Sequence, residues 1–471
     1  MKSFKIKIAI FLPLLVVLIS QACSEMHSAD GYDSVSASDL SSEAPVDGEG
    51  GLRPPPGAPP QPTPNPIPNP NPNPAAAKYF ATYAHPTTTE FVSLTNKYVP
   101  QVHPEGIDNR YSAAVYGLTR EMVKYETISI KPTKLELTSK FMNGTLPVNL
   151  YIAKNGTTIK RAPIAIILNP LYSGEFTGQM NRFIQYFGAK GYHVLVFMNP
   201  WSSDVTSKNP KFMIGDVWRE AEMHIEIIDQ VIAQRIGANN VSGGTLVGLS
   251  YGAFLSSIVK AYDQKRANPV IDGPTLLLSP PHDILKSIKN LDRQITESSG
   301  LAFNCVLKGN AFSLLGQAKD KTDYNDTNID ETCAKFVMSF VGFQATLKMT
   351  VNNLNNSKNL GLSLAQIASV TYESYMRDIA KLNPTVKETD LGHWMSESKL
   401  LGYNKFLVVA SADDNINEGV ALRNFSYYYL FNTSNSVLLP TGGHTGFRAA
   451  RSTDTTCGAD WTACMLNLVY N

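Results

Sequence analysis

Residues 245–260 read TLVGLSYGAFLSSIVK, a short apolar run followed by Gly-x-Ser-x-Gly and then by apolar residues at helical spacing. The apolar run is typical of a buried strand, and residues 251–260 indicate a helix. A sharp turn between such elements exposes a serine hydroxyl above a sheet, while glycine on either side lets the backbone approach closely. We therefore predict that Ser250 is a nucleophile at the end of a strand.

Apolar runs of similar length recur on both sides of this turn and alternate with helical patterns. The clearest helix covers residues 216–236, where apolar side chains recur at steps of three and four. This alternation predicts an α/β fold, with a mostly parallel central sheet and helices on both faces. The predicted strands are 125–130, 135–141 and 148–153 in an antiparallel opening, then 165–168, 193–198, 245–249, 275–278, 405–410 and 436–439.

The interval 282–401 interrupts this alternation, because it contains no apolar run that is as typical of a buried strand. Its clearest helical patterns cover residues 339–349 and 364–377. An insertion of this length between two strands forms a second subdomain or a lid. We expect a largely helical cap over the strand ends.

Acidic residues follow the predicted strand 405–410 in the loop Ser411-Ala412-Asp413-Asp414. Either aspartate could orient a histidine, and Asp414 is preferred because it stands two residues before the aliphatic Ile416. Asp283, after the strand 275–278, is a third candidate for the acid.

A histidine follows the last predicted strand, in the run Gly442-Gly443-His444-Thr445-Gly446-Phe447. Its position in a glycine-flanked loop suits a base better than a core histidine. Serine, acid and histidine then occur in the chain order that this kind of turn requires. We expect His444 to take the proton from Ser250, and Asp414 to orient the imidazole and stabilise its charged form.

These motifs resemble the α/β-hydrolase superfamily and, within it, the branch of YheT-like hydrolases. The similarity covers about residues 125–471 and is carried by Gly248-Leu249-Ser250-Tyr251-Gly252, Ala412-Asp413-Asp414 and Gly442-Gly443-His444-Thr445-Gly446-Phe447. It implies the α/β-hydrolase fold and an esterase or lipase-like acyl hydrolase with Ser250, Asp414 and His444 as its triad. It implies a small-molecule or lipid-like ester as substrate, and no metal or organic cofactor.

An oxyanion hole needs two backbone donors, and the backbone N–H of Tyr251 at the helix N-terminus is the first. Members of this family usually have His-Gly after the third strand, whereas this chain has Asn169-Pro170-Leu171-Tyr172. Because proline has no N–H, Leu171 or Tyr172 must supply the second donor. Amidase, peptidase or thioesterase chemistry would use the same triad. The altered loop favours another alternative, a surface-binding lipoprotein that keeps the fold without activity.

Residues 1–22 have the pattern of a secretory signal. Three lysines among the first seven residues precede an almost continuous apolar run, residues 8–19, which is too short for a transmembrane helix. Small residues then precede Cys23, which resembles the acylated cysteine of a bacterial lipoprotein. We expect an exported protein anchored to a bacterial membrane through lipid on Cys23, periplasmic or on the cell surface, with plain secretion as the alternative.

Residues 23–76 are rich in Ser, Asp, Gly and Pro without an apolar period, and such a segment cannot bury enough surface to fold. Its proline-dominated second half predicts a stiff spacer that rises about 3.1 Å per residue. Residues 77–471 have globular composition and predict one large domain that contains the insertion.

The chain has five cysteines, so Cys23 leaves an even remainder that fits an oxidising compartment. Four cysteines allow three pairings, and proximity favours Cys305 with Cys333 and Cys457 with Cys464. The eight histidines are scattered without metal-ligand spacing, so no metal site is expected. Lysines and arginines are dispersed in a chain of net charge +1, which gives no footprint for nucleic acid.

Overall fold

The computed structural model describes residues 78–102, 109–124, 131–171, 180–301, 305, 321, 323–417 and 436–470. All of them belong to one compact unit, Asn73–Asn471. The predicted signal, Cys23, the proline-rich linker and the predicted strand 125–130 lie outside the described residues.

Ten strands occur in the described residues. They are β1 (Thr133–Thr138), β2 (Thr145–Tyr151), β3 (Lys154–Asn155), β4 (Thr158–Ile159), β5 (Ala162–Leu168), β6 (His193–Phe197), β7 (Val241–Leu249), β8 (Thr275–Leu278), β9 (Phe406–Ser411) and β10 (Ser436–Leu439). Eight of them form one sheet in the order β1-β2-β6-β5-β7-β8-β9-β10, while β3 and β4 form a separate hairpin. Within the large sheet, β2 runs antiparallel to both neighbours and every other pair is parallel. The predicted fold class, a mostly parallel sheet of the α/β-hydrolase fold, is confirmed.

Fourteen α-helical segments accompany these strands in the described residues. They are α1 (Thr88–Asn96), α2 (Arg110–Lys124), α3 (Asn181–Ala189), α4 (Ser203–Thr206), α5 (Val217–Val231), α6 (Tyr251–Gln264), α7 (Ile284–Ser299), α8 (Glu331–Phe336), α9 (Ala345–Lys358), α10 (Leu364–Ala368), α11 (Tyr372–Ser374), α12 (Val386–Thr389), α13 (Leu391–Leu400) and α14 (Trp461–Tyr470). None of the described helices is long and apolar enough to cross a membrane.

Two apolar cores lie on opposite faces of the sheet. Side chains alternate along a strand, so Leu246 of β7 enters one core while its neighbour Val247 enters the other. Helices α5, α6 and α7 bury their apolar faces in the first core, and α3 and α14 bury theirs in the second. The central strands are therefore covered on both faces, which is why they read as continuous apolar runs in the sequence.

The described part of the interval 282–401 is helical, with no strand beyond the isolated bridge between Asp283 and Asp390. The predicted helix 339–349 lies within a longer one, α8 and α9 joined by the π-helical segment Val337–Gln344. The prediction of one helix over 364–377 is wrong, because α10 ends at Ala368 and a separate helix begins after Thr371. The Thr371 side chain accepts a hydrogen bond from Ser374 N (3.1 Å), and this cap starts a new helix.

Candidate active site

Ser250 lies at the turn between β7 and α6 with φ 54° and ψ −123°, a strained combination for a residue with a side chain. Its N–H is held by the carbonyl oxygen of Leu278 on the neighbouring strand (2.8 Å). The motif needs glycine two residues later, because a Cβ on Gly252 would overlap the carbonyl oxygen of Leu168 at the end of β5. Close packing of strand and helix thus keeps the serine in the turn.

Ser250, His444 and Asp414 form one hydrogen-bonded chain, although they are distant in sequence. The Nε2 atom of His444 is 2.7 Å from the Oγ atom of Ser250. Its Nδ1 atom is 3.0 Å and 3.1 Å from the two carboxylate oxygens of Asp414. Exposures of 7% for Ser250, 5% for His444 and 1% for Asp414 mean that bulk water does not compete for these bonds. The structure therefore brings together the three residues expected to form a triad.

The Asp414 carboxylate is fixed by further donors from its own loop. Its Oδ1 accepts hydrogen bonds from the N–H groups of Ile416 (2.9 Å) and Asn417 (3.4 Å), and its Oδ2 accepts one from the Asn417 side chain (3.3 Å). Burial lowers the pKa of nearby His282 to about 4, partly opposed by the Asp414 charge, so His282 is neutral at neutral pH. These donors fix the Asp414 carboxylate beside the imidazole of His444.

Asp413 contacts the backbone of the histidine loop. Its Oδ1 accepts a hydrogen bond from Gly443 N (2.8 Å), and its Oδ2 accepts one from Gly442 N (3.2 Å). Burial raises the pKa of Asp413, against the lowering effect of these hydrogen bonds. The geometry therefore gives the adjacent aspartates different contacts, one to the imidazole and one to the loop that carries it.

Asp283, the third candidate for the acid, lies at the start of α7. Its carboxylate caps that helix by accepting a hydrogen bond from Lys286 N (3.1 Å), and it lies 3.5 Å from the Lys286 ammonium. The structure therefore places Asp283 in a helix cap and not in the hydrogen-bonded chain of Ser250.

The histidine loop packs against α2, an element that the sequence patterns did not predict. A Cβ on Gly446 would overlap the carbonyl oxygen of Ala113 in that helix. The glycines around His444 were the available signal, since repeated glycine in a loop indicates close backbone packing. Their partner lies more than three hundred residues away in sequence, and its apolar residues recur at steps of three and four, a helical pattern that the sequence analysis did not use.

An apolar cavity, partly open to solvent, lies beside Ser250. Its wall includes Leu171 after β5 and Ile416 after β9. The interval 282–401 supplies much of the rest, including Ile284, Leu291, Phe343 and Met376. A cavity with this apolar lining suits an organic molecule with an apolar chain.

The predicted oxyanion donors lie at this cavity. Tyr251 is the first residue of α6, where backbone N–H groups lack acceptors within the helix. Leu171 lines the same cavity as Ser250, whereas Tyr172 lies outside the described residues. The role of Leu171 as second donor stays a prediction.

A buried carboxyl group behind the cavity was missed in the sequence. Oε2 of Glu220 accepts a hydrogen bond from the Tyr251 hydroxyl (2.7 Å), and Oε1 accepts one from Gly215 N (2.7 Å). Burial raises the pKa of Glu220 to about 8, although these two hydrogen bonds lower it. A single charged residue on an amphipathic helix usually faces solvent, so no pattern distinguished Glu220 from the partly exposed charged residues around it.

The four cysteines of the domain lie in the pairs that proximity favours. Cys305 lies against Cys333 and Cys457 against Cys464, with a Cα to Cα distance of 5.2 Å in each pair. This spacing is ordinary for disulfides. Sulfurs bonded to each other in this way are not available as thiolate ligands.

No protein-family model matches this chain, and no curated protein matches it. Similar solved structures include an esterase from Pyrococcus furiosus, with 11% identity, a TM-score of 0.35, and coverage of 68% of this chain and 85% of that one. A carboxyl esterase from Bacillus coagulans has 12% identity, a TM-score of 0.35, and coverage of 67% and 90%. An acylaminoacyl peptidase from Pyrococcus horikoshii has 9% identity, a TM-score of 0.35, and coverage of 74% of this chain but 41% of its own. Similarity at this level assigns no activity to this chain, and the YheT-like branch stays a resemblance.

Proposed function

We propose that this protein is an exported serine hydrolase that cleaves carboxylic esters through an acyl-serine intermediate. The observation that carries the proposal is the buried hydrogen-bonded chain from Ser250 through His444 to Asp414. These contacts have the geometry in which an imidazole removes the proton of a hydroxyl while a carboxylate holds the ring.

In the proposed reaction, Nε2 of His444 takes the proton of Ser250 as Oγ attacks the ester carbonyl carbon. Asp414 accepts a hydrogen bond from Nδ1–H, fixes that tautomer and stabilises the imidazolium that forms. The tetrahedral oxyanion then lies near the N–H of Tyr251 and, as we propose, near that of Leu171.

Collapse of this intermediate expels the alcohol, which receives the proton held by His444. The acyl group stays on Ser250. Water then attacks the acyl-serine with the same histidine as base, which releases the acid and restores the hydroxyl. No cofactor is needed to balance either half of the reaction.

The cavity supports an apolar group on the substrate, because its wall is mostly aliphatic and aromatic. Burying each methylene there stabilises the complex by about 0.8 kcal/mol. Hydrolysis of p-nitrophenyl esters should therefore become more efficient as the acyl chain lengthens, until the cavity is filled.

The experiment compares wild type with Ser250→Ala on that series of esters. We expect kcat/KM to fall by roughly 10⁴-fold or more, since no other group replaces the nucleophile. Ser257→Ala is the matched control, because Ser257 is buried in the same helix with its hydroxyl bonded to the carbonyl oxygen of Phe254 (2.6 Å). Equal loss in the two variants, or full activity in Ser250→Ala, would exclude Ser250 as the nucleophile. Matched amides and thioesters of the best acyl group then determine which bond is preferred.

A further inference from the structure

Ser287 differs from the other hydroxyl-bearing side chains that line the cavity in the described part of the chain. Among the described residues, five lining side chains carry a polar atom: Trp201, Ser250, Tyr251, Ser287 and Tyr372. Three of them have hydrogen-bond partners: Ser250 with His444, Tyr251 with Glu220 (2.7 Å), and Tyr372 with the carbonyl oxygen of Phe343 (3.1 Å). The Trp201 ring packs against the ring of Tyr251. The Ser287 hydroxyl has no hydrogen-bond partner in the described part of the chain, although the residue is only 3% exposed.

The position of Ser287 on α7 places its side chain in an otherwise apolar stripe. Residues 284, 287, 288 and 291 all line the cavity, and this spacing is that of one helix face. The other three members are Ile284, Ile288 and Leu291. One hydroxyl therefore lies in the middle of an aliphatic wall, in the same cavity as the Ser250 hydroxyl.

A buried hydroxyl without a partner is unfavourable, because it has lost its hydrogen bonds to water without gaining others. Such groups are uncommon in folded proteins. A ligand oxygen placed next to Ser287 would supply the missing bond. A serine hydroxyl both donates and accepts, so it suits a hydroxyl group on the ligand in either role.

We propose that Ser287 binds a hydroxyl group on the chain of the substrate that enters the cavity. The substrate class is then a hydroxylated ester, with the hydroxyl on the carbon chain away from the ester bond. This inference rests on the proposed function, since the chain is delivered to the cavity by an ester held at Ser250. Ser287 is a specificity-determining residue here and takes no part in bond cleavage.

The test uses pairs of esters of equal chain length, one with a plain alkyl chain and one with a single hydroxyl moved along the chain. One set carries the hydroxyl on the acyl group of p-nitrophenyl esters, and a second carries it on the alcohol. The measured quantity is the ratio of kcat/KM for the hydroxylated ester to kcat/KM for the plain one. Wild type should show a maximum of this ratio at one hydroxyl position in one of the two sets.

Ser287→Ala should lower that maximum about tenfold, because the hydroxylated chain loses its partner. Hydrolysis of the plain ester should persist. Ser287→Thr keeps the hydroxyl and should retain the preference. Ser339→Ala is the matched control, since Ser339 is also buried in a helix with an unpartnered hydroxyl among the described residues but does not line the cavity.

A ratio that does not depend on hydroxyl position in wild type would overturn the inference and leave the proposed function intact. An equal ratio in wild type and Ser287→Ala would do the same, as would an equal drop in Ser339→Ala. Wild type that cleaves no ester of either kind would overturn both proposals.

Discussion

Two adjacent aspartates, Asp413 and Asp414, have different contacts in the candidate site. Asp414 contacts the imidazole of His444, whereas Asp413 receives two backbone N–H groups of the loop before that histidine. Loss of the Asp414 carboxylate changes the tautomer of the His444 imidazole and removes the stabilisation of its charged form. Loss of the Asp413 carboxylate loosens the histidine loop but leaves the imidazole in contact with Asp414.

We therefore predict that Asp414→Asn lowers kcat far more than Asp413→Asn does. The expected loss for Asp414→Asn is roughly 10⁴-fold, since an amide favours the wrong histidine tautomer. For Asp413→Asn we expect a smaller loss of kcat and a lower melting temperature. Ester hydrolysis and thermal unfolding of both variants test this, and the reverse order of the two kcat losses would assign the acid to Asp413.

The spacing between Asp414 and Ile416 favoured Asp414 as the acid, and the structure gives a physical reason for this. The aliphatic residue two positions later, Ile416, lines the cavity and donates its N–H to Oδ1 of Asp414. Motif order and position after predicted strands were thus enough to propose Ser250, Asp414 and His444. Glu220 could not be found in this way, because its burial depends on contacts with Tyr251 and Gly215 that only the folded chain creates.

At the scale of elements, α5 contains a buried acid close to the strand-to-helix turn. No cation pairs with Glu220 in the described residues, and its nearest ionisable neighbours include Asp216, Tyr251 and Tyr375. Its pKa of about 8 in the folded state exceeds the ordinary value of 4.5, so the folded state binds this proton more tightly than the unfolded chain does. Its contribution to stability is complete below pH 4.5 and is lost as the pH rises to about 8.

We predict that Glu220→Gln removes this decrease in stability with rising pH, because a glutamine side chain does not titrate. Between pH 5 and 8 the free energy of unfolding of wild type should fall relative to the variant, by at most about 1.4 kcal/mol per pH unit. Denaturant unfolding of both proteins at several pH values measures the difference. Glu222→Gln, on the same helix but partly exposed, controls for loss of a negative charge. A difference between wild type and Glu220→Gln that is constant with pH would contradict the prediction.

The elements that could be predicted are those whose sequence pattern follows directly from burial. Strands covered on both faces are continuous apolar runs, and β6, β8 and β9 lie within one residue of their predicted bounds. The start of β7 was missed because Ser242, Gly243 and Gly244 interrupt its apolar run. Helix α2 was missed although its apolar residues recur at steps of three and four; the sequence does not show its contact with the histidine loop.

At the scale of the whole molecule, the sequence combines a predicted export signal, a proline-rich segment and the described domain. Export and lipidation remain proposals, since residues 1–77 are outside the described part of the chain. Two cysteine pairs in the domain are in keeping with an oxidising compartment. We propose that a lipid on Cys23 anchors the protein to a membrane.

We predict that expression in a bacterial host places the protein in the membrane fraction, and that Cys23→Ser releases it. The physical reason is that the acyl chains on this cysteine are the only anchor proposed for the chain. Fractionation and mass spectrometry of the N-terminal peptide test this. Unchanged membrane association of Cys23→Ser, or a mature wild-type protein without lipid, would contradict the proposal.

The most direct test of the central claim is covalent labelling of the nucleophile. The folded protein is treated with a fluorophosphonate, which reacts with an activated serine, and the adduct is located by peptide mass spectrometry. We predict one adduct per chain, on Ser250, absent in Ser250→Ala and formed much more slowly in His444→Ala. Equal labelling of wild type and Ser250→Ala, or no labelling of folded wild type, would contradict the account.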